Sequence, residues 1–153
     1  MKKILLLICF AFISLHAMAQ GPGPGGEKIK AFKVAFITEQ LNLSSKEAQQ
    51  FWPIYNAYDE TVHQIKKSER KGFRALKEAY NGPDGLSDSQ AGTFLDNYMN
   101  GETKKMEARK KLIKDLQSVL PNKKIVRLIK AENDFNKRLL DRVRQWRNRR
   151  NNQ

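Results

Sequence analysis

The stretch LNLSSKEAQQFWPIYNAY, residues 41–58, decides how the chain is read. It contains SSKE, in which Ser44 and Glu47 have the spacing of a capping box. The Ser44 hydroxyl can accept from the Glu47 amide, and the Glu47 carboxylate can reach back to the Ser44 amide. Leu43 stands just outside the cap and Ala48 at the fourth helical position, the two places of a hydrophobic staple. Ala48, Phe51, Tyr55, Tyr58, Val62 and Ile65 then recur at threes and fours, so a helix starts here with one apolar face. Pro53 interrupts it. Proline has no amide hydrogen, and its ring crowds the carbonyl of Gln49. It also pushes Trp52 away from helical angles. Either the helix kinks at Pro53, or a short helix ends and a second starts with Pro53 in its first turn. Both readings hold Trp52 and Pro53 at a bend, where Trp52 caps the core or meets a partner chain.

Upstream, Ile29, Phe32, Phe36, Ile37 and Leu41 share one face of a helix expected over about 27–40, with Lys28, Lys30 and Lys33 elsewhere on its surface. QGPGPGGE, residues 20–27, is expected to be a flexible leader. Before it, MKK is followed by the twelve-residue apolar run ILLLICFAFISL and by AMA at 17–19. Residues 1–19 are therefore read as a secretory signal cleaved after Ala19, because the run is shorter than the ~20 residues a spanning helix needs. An uncleaved anchor is the alternative. The single cysteine, Cys9, lies inside the signal, so the mature chain has no thiol for disulfides, catalysis or metal ligation.

Downstream, KKSERKGFRALKEAY keeps helical propensity but loses its stripe. The inward positions after Ile65 fall on Glu69 and Gly72, and the stripe resumes at Phe73, Leu76 and Tyr80. NGPDG at 81–85 is a turn. SDSQ forms a second capping box, Ser87 with Gln90. A third helix follows with Ala91, Leu95, Tyr98, Met106, Ile113, Leu116 and Leu120 at helical spacing, interrupted by Gly101, Glu102 and Arg109. Pro121 opens a fourth helix whose face is Ile125, Leu128, Ile129, Phe135, Leu139, Val143 and Trp146. Residues 28–147 are thus expected to form one all-α domain of four helices, two of them long and antiparallel. The narrow stripes suggest a thin bundle or an open helical hairpin array, completed by a partner chain. Residues 148–153 are expected to be a basic disordered tail.

The formal net charge is +13, and removing residues 1–19 takes away Lys2 and Lys3 and no acid, leaving +11. A basic exported protein meets acidic partners such as head groups or unfolded acidic chains, and nucleic acid is not among the expected partners. The cations concentrate where the stripe lapses: Lys66, Lys67, Arg70, Lys71, Arg74 and Lys77 in the second helix, and Lys104, Lys105, Arg109, Lys110 and Lys111 in the third. In an antiparallel pair, 66–77 and roughly 100–111 would lie at similar heights and share one surface. The alternative is an ordinary solvated face. The mature chain has one histidine, His63, three residues after Glu60. Paired-metal sites in bundles need two such Glu-x-x-His motifs and two further Glu residues, so no metal and no cofactor are expected, although a dimer could bring two His63 side chains together. There is no Ser-His-Asp arrangement, no phosphate-cradling Gly loop and no acid/base pair, and the chain is not expected to be an enzyme.

The segments LNLSSKEAQQ and KKLIKDLQSVLPNKKIVRLIKAENDFNKRLL resemble the two motif regions of the Spy/CpxP-like periplasmic proteins, which carry a repeated LTxxQ motif. Leu43, Ser44 and Glu47 stand where the family has Leu, Thr and Gln. In the second motif, Leu120, Pro121 and Lys124 take the corresponding places, which loses the capping pair. LSDSQ, residues 86–90, is nearer the consensus but outside the usual positions. The order of signal, leader, helices and motifs also matches, over nearly all of the mature chain.

The resemblance implies a periplasmic, all-α, cradle-shaped homodimer acting as an ATP-independent chaperone for unfolded or acidic client proteins. The alternative is an envelope-stress adaptor acting on a sensor protein. A metal sensor, the third role in the family, fits poorly with the missing thiols and single histidine. Neither of the first two roles needs stable membrane insertion once the signal is removed. The residues expected to hold clients are Lys66, Lys67, Arg70, Lys71, Arg74, Lys104, Lys105 and Arg109.

Overall fold

Asn42 turns the chain from one helix into the next. Its φ of 46° lies in the left-handed region. The amides of Asn42 and Leu43 donate back to the carbonyls of Glu39 (3.0 Å) and Thr38 (3.2 Å), the paired bonds of a Schellman motif. Ser44 then caps the following helix, so Leu43 ends one helix and precedes the next. In the computed structural model, which describes residues 24–151, α1 is Pro24–Leu41, α2 is Ser45–Tyr80, α3 is Asp88–Leu116 and α4 is Asn122–Asn151. A 3-10 turn, Pro83–Gly85, joins α2 to α3. The described residues are all-α and contain no strand. The expected signal, residues 1–19, lies outside them.

Several boundaries differ from those read in the sequence. Helix α1 starts at Pro24, so Pro24 to Glu27 are helical instead of part of a flexible leader. Proline suits the first turn, where its missing amide has no intrahelical partner to lose. Helix α4 runs on to Asn151, so residues 148–151 are helical and not a disordered tail. No Gly or Pro follows Pro121 to stop it, and arginine is a good helix former. Finally, α2 is one helix through Pro53. The reading of two helices meeting there is overturned. Gln49 and Pro53 are both exposed, so water can take the carbonyl that loses its partner.

The chain divides into two units, Met1–Phe36 and Ile37–Gln153, with the division inside α1. In the described part of the first unit, the rings of Phe32 and Phe36 lie 6.2 Å apart. The second unit buries Ile37, Leu41, Phe51, Tyr55, Leu112, Leu116, Leu120, Ile125, Leu128 and Phe135. Phe51 stacks on Tyr55 at 5.3 Å, and half-buried Trp52 meets Phe51 and Tyr55 edge-on at 4.9 and 5.7 Å. Trp52 thus borders this core.

Both capping boxes form. Ser44 N donates to Glu47 Oε2 (2.8 Å), and Ser87 N donates to Gln90 Oε1 (2.9 Å). Pro121 accepts from the amide of Lys124 (2.9 Å), so it caps α4 instead of occupying its first turn. In the turn between α2 and α3, a Cβ on Gly85 would sit 2.0 Å from the carbonyl oxygen of Tyr80. Backbone cannot yield that much, so glycine is required there.

Helices α2 and α3 are antiparallel. Tyr58 meets Arg109, Glu69 meets Lys105, and Phe73 meets Phe94. The stripe expected along α3 is only half used. Leu116 and Leu120 are buried, whereas Leu95 and Met106 are more than half exposed, and the buried neighbour is Leu112 in place of the expected Ile113. Between residues 70 and 100 only Leu76 is buried. The far part of the hairpin lacks the core that Ile37, Leu116 and Leu128 help to build at the other end, so a second apolar stripe has nothing to pack on.

Candidate functional site

Three polar ties set the geometry of the second unit. At one end, Lys124 Nζ donates to both Glu47 carboxylate oxygens (2.8 and 2.7 Å) and to the carbonyl of Asn42 (2.8 Å). Glu47 thus serves two helices, capping α2 while pairing with α4. The Lys124 ammonium, followed by the Ser44 amide, lowers its pKa to about 2.

The second tie lies midway. The Tyr55 hydroxyl donates to Glu132 Oε1 (2.9 Å), and Arg109 Nη2 pairs with Glu132 Oε2 (2.7 Å). Arg109 also lies over the Tyr58 ring, 5.2 Å from its centroid. Burial, with the nearby Glu132 carboxylate, pushes the Tyr55 hydroxyl far above its ordinary pKa. Burial opposes the charge on Arg109, but Glu132 outweighs it and the guanidinium is held more firmly protonated.

The third tie is farther along the hairpin. Lys105 Nζ bridges Glu69 on α2 (2.9 Å) and Glu102 on its own helix (2.6 Å). Glu102 first and Glu69 second raise its pKa. The helices are close enough here that a Cβ on Gly101 would lie 2.7 Å from Glu69 Oε1.

From Ile65 and Glu69 at this tie outward, α2 and α3 border a half-open groove of about 540 Å³. Its lining includes Phe73, Phe94, Tyr98, Lys71, Lys104 and Asn97. Phe73 makes edge contacts with Phe94 (5.0 Å) and Tyr98 (6.5 Å). Phe73 is nevertheless 52 % exposed.

The eight cations expected to hold clients are divided by this arrangement. Lys71 and Lys104 line the groove. Lys66, Lys67, Arg70 and Arg74 are exposed on α2 outside it. Lys105 and Arg109 are engaged within the fold as ion-pair partners of Glu69, Glu102 and Glu132, and so tie helices together. The expected heights also shift. Glu69 is level with Gly101 and Lys105, and Phe73 with Phe94 and Tyr98. The far half of 66–77 therefore faces 94–98 instead of about 100–105. His63 is exposed on α2.

Sequence reasoning missed Glu69, Glu132 and the pairing of Glu47 with Lys124. The signal for the third tie was present, since Glu69 and Gly72 break the stripe of α2 just where Gly101 and Glu102 break that of α3. Those breaks answer one another across the helix pair. No family model, curated protein or solved structure matches the chain.

Proposed function

We propose that the chain is an ATP-independent periplasmic chaperone that captures unfolded or acidic clients on the α2–α3 hairpin. The observation that carries this reading is the groove itself. Exposed aromatic edges of Phe73 and Tyr98 stand beside Lys71 and Lys104, neither of which forms a salt bridge among the described residues. Lys66, Lys67, Arg70 and Arg74 add charge near the same helix surface. Long-range attraction speeds encounter, while a few shallow apolar contacts allow release. The contact between Glu47 and Lys124 supports reading the two motif-like segments as one unit, as the Spy/CpxP-like resemblance implies. Export rests on residues 1–19, and assembly as a homodimer remains part of the proposal.

The test is stopped-flow association with an acidic unfolded client, alongside suppression of its aggregation. Reversing Lys66, Lys67, Arg70 and Arg74 to Glu is expected to slow association at low salt and to matter little at high salt. The Debye length shrinks from ~10 Å at 0.1 M to ~3 Å at 1 M. Phe73→Ser is expected to speed dissociation. If neither variant changes the rates and wild type fails to suppress aggregation, the envelope-stress adaptor reading takes its place.

A further inference from the structure

The continuation of α4 through Asn151 places an arginine field on an ordered helix. From residue 137 to residue 150 the sequence carries seven cations, six of them arginine, against the single acid Asp141. Arg144, Arg147 and Arg149 are exposed, and Arg144 makes only a long 3.8 Å contact with Asp141. The same helix exposes Val126, Ile129, Leu140 and Val143. Their spacings of three, eleven and three keep them within about 100° of arc on the helix surface. The exposed stripe runs ~25 Å along the axis at 1.5 Å per residue.

We propose that this face of α4 lies on anionic phospholipid head groups, with Leu140 and Val143 entering the interface and Arg144 and Arg147, which share their side of the helix, holding phosphate. Arginine forks match phosphate oxygens two at a time, which distinguishes this field from the lysine-rich segment of α2. Phosphate alone would also describe nucleic acid. The aliphatic side chains decide against it, since a duplex offers no apolar phase to receive Leu140 and Val143, whereas the head-group boundary does. A second copy of the same face would bring two arginine fields together. No helix among the described residues is long and apolar enough to cross a membrane, so the contact is a surface one. It is independent of the chaperone reading and uses a different helix.

The test is co-sedimentation of the protein, purified from the periplasm of an exporting host, with vesicles. One set is phosphatidylcholine alone and the other phosphatidylcholine mixed with phosphatidylglycerol. Binding is expected to the anionic vesicles only and to weaken with salt. Arg144→Glu with Arg147→Glu is expected to weaken it about thirtyfold. Leu140→Asn with Val143→Asn, both at exposed positions, is expected to weaken it about tenfold or more. An equal charge change at Lys66 and Lys67 is expected to have a several-fold effect, with all variants compared at matched helicity. Failure to bind anionic vesicles overturns the proposal. So does an equal loss from the α2 variant, which would mean that only net charge matters. Tighter binding to short duplex DNA, sensitive to the arginines but not to Leu140 and Val143, overturns it in favour of a nucleic-acid surface.

Discussion

Lys124 Nζ lies 2.7 Å from Glu47 Oε2, joining the first turn of α4 to the first turn of α2. The same carboxylate accepts from the Ser44 amide. One side chain therefore completes a helix cap and an ion pair, and its loss affects both.

The first prediction follows from the low pKa of Glu47. A carboxylate depressed in the folded state contributes stability above its unfolded pKa, and that contribution fades as pH falls toward the folded value. For Glu47 the window lies between the ordinary 4.5 and about 2. Denaturation across this range is expected to show falling stability, with a shallower slope in Lys124→Met. An unchanged slope in that variant would assign the acid sensitivity to other carboxylates.

Glu132 receives a hydroxyl from α2 and a guanidinium from α3. Glu132→Ala leaves Tyr55 and Arg109 without it and is expected to destabilise by about 2–3 kcal/mol, between the exposed and fully buried ranges because Arg109 is partly solvated. Tyr55→Phe removes one hydrogen bond and is expected to cost about 1 kcal/mol. Urea denaturation of both variants checks the ordering.

Gly101 and Glu69 form a testable couple. Alanine in a helix is favoured over glycine by about 1 kcal/mol, but here its Cβ would displace the Glu69 carboxylate from Lys105. Gly101→Ala is expected to be nearly neutral in the wild-type protein. In a Glu69→Ala background it is expected to stabilise by about 1 kcal/mol. Additive effects in the double-mutant cycle would refute the coupling.

Pro53 sits on the exposed side of an unbroken α2. Pro53→Ala restores an amide able to reach the Gln49 carbonyl, and is expected to stabilise by about 1–3 kcal/mol. A loss of stability in thermal melts would mean that the surrounding packing depends on proline's geometry.

The helices were legible because caps and breakers are local. Ser44, Ser87 and the NGPDG turn act within a few residues of themselves, and each acts as its spacing predicts. Burial was less legible. Leu95 and Met106 have the period of a core stripe, yet which apolar face is covered depends on where the neighbouring helices run. The basic residues were hardest to sort. Lys104 and Lys105 are adjacent in sequence and alike in chemistry, but one lines the groove while the other bridges two carboxylates. Only the register between α2 and α3 separates them.

The sparse burial between residues 70 and 100 also governs how the molecule breathes. Amide hydrogen exchange follows local opening, which is easiest where few apolar contacts hold a segment. The hairpin beyond the Glu69–Lys105 tie is therefore expected to exchange faster than the segment around Tyr55, Leu116 and Leu128. Most of the groove lies on that looser side. Whatever occupies it binds the closed hairpin in preference to the open one, and by mass action slows exchange there first, leaving the protected end almost unchanged.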